Sequence, residues 1–205
     1  MTELLFIRHG ESVANLDLSR INGRSNHTPL TARGERQARL LGSRLRALSY
    51  EPDAVFSSGA LRADTTAQIA TEAAGCMPPI TIDERLQEVS QGLFEGQRRD
   101  EVYNPDIIAT YDLDSVHGKL PGAESLFEAH TRMLDFANET YQQYPDGRLL
   151  IFSHGLAIRS LAGIVRGHTK SQILTTATPN VSATTINMTE TGPTVRYVGK
   201  TIISE

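Results

Sequence analysis

The chain has 205 residues, of which 39% are hydrophobic and 21% charged. Its 20 basic and 24 acidic residues nearly cancel, leaving a net charge of −4. This excludes a charge-driven disordered chain and argues against a dedicated nucleic-acid binder, which carries a basic footprint.

At this length, folding removes roughly 70% of the chain's surface from water, enough for a substantial core. Leu4-Leu5-Phe6-Ile7 is a short apolar run and reads as a buried strand. Thr31 is placed to cap a helix through Leu48, because Ala38, Leu41, Leu45 and Leu48 recur at helical spacing. Ala54-Val55-Phe56 is a second strand, leading into Ser57-Ser58-Gly59. A small-residue helix follows, with Ala63, Thr66, Ala67, Ala70 and Ala74 on one face, and stops near Gly75. Ile80-Thr81-Ile82 is a third strand. Residues 97–124 are irregular, with Pro105, His117-Gly118 and Pro121-Gly122, and read as a lid or substrate-covering insertion. Ser125 and Glu128 form a capping box for a helix reaching about Tyr144. Leu149 to Phe152 is a fourth strand, and Leu156 to Val165 a helix with Gly167 past its end. Thr184 to Met188 and Thr194 to Val198 are strands joined by a turn containing Gly192-Pro193. The Thr-rich stretch from Thr175 to Thr191 reads as strand and loop.

Strands alternating with helices imply an α/β fold, a largely parallel sheet covered on both faces in three layers, α/β/α. No linker divides the chain, so a single domain over 1–205 is expected. Cys76 is alone and cannot form an intrachain disulfide or a multi-cysteine zinc site; a small buried residue near a helix end is expected there. No apolar run approaches about 18 residues, and the first residues lack a basic signal-peptide region. The expectation is a cytoplasmic protein with no membrane or nucleic-acid partner.

Two strands end alike. Leu4 to Ile7 runs into Arg8-His9-Gly10, and Leu149 to Phe152 into Ser153-His154-Gly155. In a parallel sheet the strand C-termini share one edge, where ligands bind. Arg62 starts the helix after the second strand, and Glu88 lies a few residues beyond the third. One edge thus collects two imidazoles, two or three guanidiniums and a carboxyl group. Two guanidiniums can grip phosphate oxygens, a neutral imidazole can attack phosphorus, and a carboxylic acid can protonate the leaving oxygen. A metal site fits less well, since no HExxH, cysteine cluster or close Asp/His grouping is present. Taken singly, each residue has a bland reading: His9 as a turn residue, Arg62 as a solvated helix residue, Glu88 as a surface acid. His27, His117, His130 and His168 read as surface or structural.

The motifs carry the reading further. Arg8-His9-Gly10-Glu11-Ser12 with Asn15 resembles the signature of the histidine phosphatase superfamily, the phosphoglycerate mutase-like family. Pro29-Leu30-Thr31 with Gly34, Ser57-Ser58 with Leu61-Arg62-Ala63, Glu88 with Gly92 and Glu95-Gly96, Pro121-Gly122-Ala123-Glu124-Ser125, and Ser153-His154-Gly155 resemble its further blocks in order. The resemblance implies a phosphoglycerate mutase-like sandwich. It makes His9 the nucleophile that becomes phosphohistidine, Arg8 and Arg62 phosphate-binding arginines, and Glu88 the proton donor. His154 becomes the second histidine facing the phosphoryl group, Asn15 an accessory phosphate contact, and Gly155 backbone close to the same pocket. No metal and no cofactor are implied, the partner is a small phosphorylated metabolite, and dimers are common among similar proteins. Asn22 and Arg24 stand in a segment that aligns only loosely: Asn22 is a doubtful phosphate ligand, and Arg24 shapes substrate preference or lies on the surface. Arg98 or Arg99 meets a substrate anion or is solvated charge.

The resemblance leaves three functions open. A phosphatase acting on a small phosphomonoester leads. A 2,3-bisphosphoglycerate-dependent mutase is the alternative, although such mutases carry an insertion before the Pro121 block that this chain lacks. A non-catalytic phospho-ligand binder is the third.

Overall fold

The computed structural model describes residues 1–75 and 77–203; the expectation for Cys76 lies outside the described residues. In chain order the elements are β1 (Thr2–Arg8), α1 (Ala32–Ala47), β2 (Ala54–Ser57), α2 (Leu61–Ala74), β3 (Ile80–Ile82), α3 (Arg99–Val102), α4 (Pro105–Thr110), α5 (Leu126–Gln143), β4 (Arg148–Ser153), α6 (Gly155–Val165), α7 (Lys170–Thr175), β5 (Ala183–Thr189) and β6 (Gly192–Lys200). The expected strands and long helices all form.

Their ends follow local chemistry. Thr31 Oγ1 accepts the Gly34 N–H at 3.0 Å and starts α1. Ser125 and Glu128 close both bonds of the capping box that starts α5. Two expectations are corrected in detail. The β5–β6 turn is made by Glu190 and Thr191, while Gly192 and Pro193 already belong to β6. Proline is tolerated there because β6 is an edge strand and needs no ladder N–H on its outer side. The stretch 97–124 is not structureless: it contains α3 and α4, with Asn104 capping α4 through the Ile107 N–H and Pro105 in its first turn. Ile21, Val102, Leu113 and Leu120 form a small core beneath it.

The sheet order is β3-β2-β4-β1-β5-β6. The pairs β1·β4, β2·β4 and β2·β3 are parallel, whereas β5 is antiparallel to both β1 and β6. Only β5 opposes the common direction, so the sheet is largely parallel. Side-chain alternation then builds the layers. Leu4, Phe6, Leu149 and Ile151 pack against Met133, Phe136 and Leu161 of α5 and α6. Leu5, Ile7, Leu150 and Phe152 pack against Leu41, Leu45, Ala67 and Ala70 of α1 and α2. Truncating a fully buried leucine such as Leu41 to alanine costs about 2–5 kcal/mol. The alanine face of α2 lets α1 approach closely: a Cβ on Gly42 would stand 2.2 Å from the Ala70 carbonyl oxygen.

Candidate active site

The parallel β1·β4 pair sets Arg8 opposite Ser153, and the His9 N–H donates to the Ser153 carbonyl at 3.0 Å. The two His-Gly units therefore leave the sheet side by side. The His9 and His154 ring centroids are 5.2 Å apart, and both side chains are buried.

His9 is held from several directions. Its Nδ1 lies 2.7 Å from the Gly10 carbonyl oxygen, an acceptor, so Nδ1 carries the proton and Nε2 is the bare nitrogen. Nε2 accepts from Arg62 Nε at 3.2 Å. The Gly10 backbone is fixed in turn: its N–H donates to Thr66 Oγ1 at 2.9 Å. A Cβ at Gly10 would lie 2.6 Å from the Gly34 carbonyl oxygen, so a side chain there would push the loop off the start of α1. Burial, then Arg62 and Arg8, hold the His9 imidazolium well below the ordinary 6.5, against the smaller opposing pull of the Gly10 carbonyl. His9 is neutral in neutral solution.

His154 is also neutral, depressed by burial first and then by Arg62, His9, Arg132 and Arg8. Its Nε2 lies 2.8 Å from the Ser58 hydroxyl. That hydroxyl also accepts the Ala60 N–H at 3.3 Å. When it donates its own proton to Nε2, Nδ1 is the protonated nitrogen of the neutral ring. Among the described residues, His154 Nδ1 is buried without a hydrogen-bond partner, and the same holds for Arg8 Nε. Buried polar atoms are seldom left so, and both are available to a bound ligand.

The arginines come from separate elements. Arg8 ends β1 and donates Nη1 to the Thr178 carbonyl at 2.7 Å. Arg62 lies in the first turn of α2 and donates Nη1 to the Ser25 carbonyl at 2.9 Å. Burial lowers both from the ordinary guanidinium value, and Glu88 opposes that loss of charge. Both remain cations. Glu88 meets the start of α6: Oε1 accepts the Ala157 N–H at 2.8 Å and the Val89 N–H at 2.9 Å, and Oε2 accepts the Leu156 N–H at 3.1 Å. A carboxylate at a helix N-terminus complements the exposed N–H groups and the dipole. Gly155 opens that helix, and a Cβ on it would stand 3.2 Å from Arg8 Nε.

Asn15 lies six residues beyond His9, at the end of a short 3-10 segment, Val13–Asn15. Its Oδ1 accepts from the Ser12 N–H at 3.0 Å and from Asn180 Nδ2 at 3.2 Å, and Asn180 also donates to the His9 carbonyl at 3.0 Å. Asn22 donates to the Ala14 carbonyl at 2.7 Å, a loop contact. Arg98 is tied to Asp100, and Arg99 stands over the Tyr103 ring.

Sequence reading missed several supporting groups. Thr178 and Asn180 precede β5 in the Thr-rich stretch, where only the Pro179-Asn180 pair signalled a special turn. Glu95 accepts N–H bonds from Arg24 at 2.9 Å, Ser25 at 3.2 Å and Gln91 at 3.1 Å, and so fixes the loop whose Ser25 carbonyl receives Arg62. Arg132 binds both oxygens of Glu124, at 2.7 and 2.8 Å. Among the described residues no three His, Cys, Asp or Glu side chains gather as a metal ion would require.

Two buried histidines flanked by the part-buried Arg8 and the buried Arg62, at the C-terminal edge of a parallel sheet, form a cationic cluster with the chemistry to hold an oxyanion. The model of the histidine phosphatase superfamily, branch 1, matches residues 4–201, and the chain belongs to this family. It is an enzyme of the histidine phosphatase class. Over 175 residues it is 35% identical to a protein of Salmonella choleraesuis named probable phosphoglycerate mutase GpmB, covering 82% of this chain and 76% of that one. YhfR of Bacillus stearothermophilus superposes with a TM-score of 0.84 at 28% identity, covering 98% of each chain. The alpha-ribazole phosphatase of Shigella flexneri superposes with a TM-score of 0.77 at 26% identity, covering 97% of this chain and 96% of that one. No described helix is long and apolar enough to cross a membrane.

Proposed function

We propose that the chain hydrolyses a small phosphomonoester, without a metal in the step, through a phosphohistidine on His9. The observation that carries this is the His9 tautomer. With Nδ1–H bonded to the Gly10 carbonyl, the lone pair of Nε2 is free to attack phosphorus once Arg62 Nε exchanges it for a phosphoryl oxygen. The bond to the leaving oxygen breaks as the N–P bond forms, and Glu88, entering this step as the protonated acid, gives that oxygen its proton. Arg8, Arg62 and His154 Nδ1–H donate to the phosphoryl oxygens, so the stabilisation is electrostatic and already in place. The Asn15 amide nitrogen and the backbone at Gly155 supply further donors. In the second half Glu88, now a carboxylate steadied by the Leu156 and Ala157 N–H groups, takes a proton from water. The water oxygen attacks phosphorus, the N–P bond breaks, and inorganic phosphate leaves with His9 neutral again.

The identity to a protein named as a probable mutase favours one second reading, return of the phosphoryl group to an organic acceptor. One experiment separates them. Wild type and His9→Ala are given a panel of phosphomonoesters with chelator present, and 3-phosphoglycerate interconversion is followed in parallel. Phosphate release that disappears in the variant supports the phosphatase. Interconversion without net release supports the mutase, and neither across the panel overturns both.

A further inference from the structure

We propose that Arg24 binds a second anionic group of the substrate, a carboxylate or further phosphate on the leaving group, so that the preferred substrates are acidic phosphomonoesters. This rests on the phosphoryl-site reading above.

The position of Arg24 comes first. Its Nε donates to the backbone carbonyl of Glu88, the proton donor, at 3.3 Å. The next residue, Ser25, offers its carbonyl to Arg62. Arg24 is therefore bracketed by the group that grips the phosphoryl oxygens and the group that protonates the leaving oxygen. An anion a few bonds beyond that oxygen falls on this side of the site. The backbone is fixed, because Glu95 Oε1 accepts the Arg24 N–H.

The surrounding charges come second. Three carboxylates lie nearby, and each is occupied by donors other than the Arg24 guanidinium. Glu88 takes three backbone N–H groups. Glu95 takes three as well. Glu124 is held at both oxygens by Arg132 and also faces the Ser90 N–H. Arg24 Nη2 reaches Glu124 only at 3.9 Å, with 39% of the arginine side chain exposed. At that distance the pair makes no hydrogen bond, which leaves the Nη donors able to turn to a ligand anion. Arg98, by contrast, is bound by its own neighbouring acids. A guanidinium with a pinned backbone, a part-exposed head and no carboxylate within hydrogen-bond distance of its Nη atoms is suited to bidentate capture of an incoming anion.

The test is binding of a matched pair of probes, 3-phosphoglycerate and glycerol 3-phosphate, which differ by a carboxylate against a hydroxymethyl group. His9→Ala protein is titrated with each by calorimetry, with and without Arg24→Gln. The carboxylate probe is expected to bind at least tenfold tighter, about 1.4 kcal/mol. In the Arg24→Gln protein that ratio is expected to fall below threefold, while Arg24→Lys retains part of it. Equal affinities before the substitution, a ratio that survives it, or no binding of either probe would overturn the inference. Hydrolysis by wild type and its loss in His9→Ala judges the phosphatase reading separately, since the affinity ratio does not depend on turnover.

Discussion

Arg62→Met tests the electrostatic core of the site. The substitution keeps an apolar stem in a buried position and removes the guanidinium. Two consequences can be worked out. Arg62 can give the phosphoryl group two charge-assisted hydrogen bonds, each worth about 1.5–3 kcal/mol. Losing about 3–6 kcal/mol of transition-state stabilisation lowers kcat/KM by roughly 10² to 10⁴. Arg62 is also the largest charged neighbour holding the His9 imidazolium down, after burial itself. Without it the His9 value moves up toward 6.5, so the acid limb of the rate moves to higher pH. The assay is kcat/KM for a phosphomonoester from pH 5 to 8, with phosphohistidine trapped by rapid quench. A loss under tenfold, or an acid limb that stays in place or moves down, would refute the reasoning.

Glu88→Gln should separate leaving groups: alkyl phosphates lose about 10²-fold or more in rate, while 4-nitrophenyl phosphate, whose leaving oxygen needs no proton, loses far less. Equal losses on both would remove Glu88 from the acid role. The buried histidines make stability pH-dependent. His9, His130 and His154 all have folded values below 6.5, so the unfolded chain binds the extra protons. Stability is therefore full above about 6.5 and is lost as pH falls below it, by up to about 1.4 kcal/mol per pH unit per histidine. Urea midpoints between pH 7.5 and 5 check the sign, and a His154→Gln variant should show a shallower slope. Thr31→Ala removes the cap that holds Gly34 beside Gly10 and should cost about 1 kcal/mol in urea unfolding.

The fold was legible because its signals were local. The continuous apolar run before His9, the alanine face of α2 and the Ser125–Glu128 box each specify one element without reference to the rest. The pairing of two strand–His–Gly units also placed both imidazoles correctly, because parallel neighbours end on one edge. What stayed hidden depends on long-range contact. Nothing around Ser25 announces that its carbonyl receives Arg62, and nothing near Glu95 announces three N–H donors. α7 was missed although Thr169 and Gln172 form a capping box, since its six residues are too few for helical periodicity to register. The stretch 97–124 was read as irregular because its prolines and glycines mask two short helices on a small core shared with Ile21.

The central place of β1 sets the timing of assembly. Leu4 pairs with Leu149 on one side and Ile186 on the other, and the Val181 N–H closes onto the Arg8 carbonyl. The strand that leads into His9 is made before the other described strands, yet both of its neighbours are encoded much later. At about 5–20 residues per second of synthesis, that strand waits roughly 10–30 s for its partners. During that interval Leu4, Leu5, Phe6 and Ile7 form an unpaired apolar strand, open to chaperones and to neighbouring nascent chains. The pairing of His9 with His154 therefore cannot form on a partial chain, and recovered activity reports that β4 and β5 have both closed on β1.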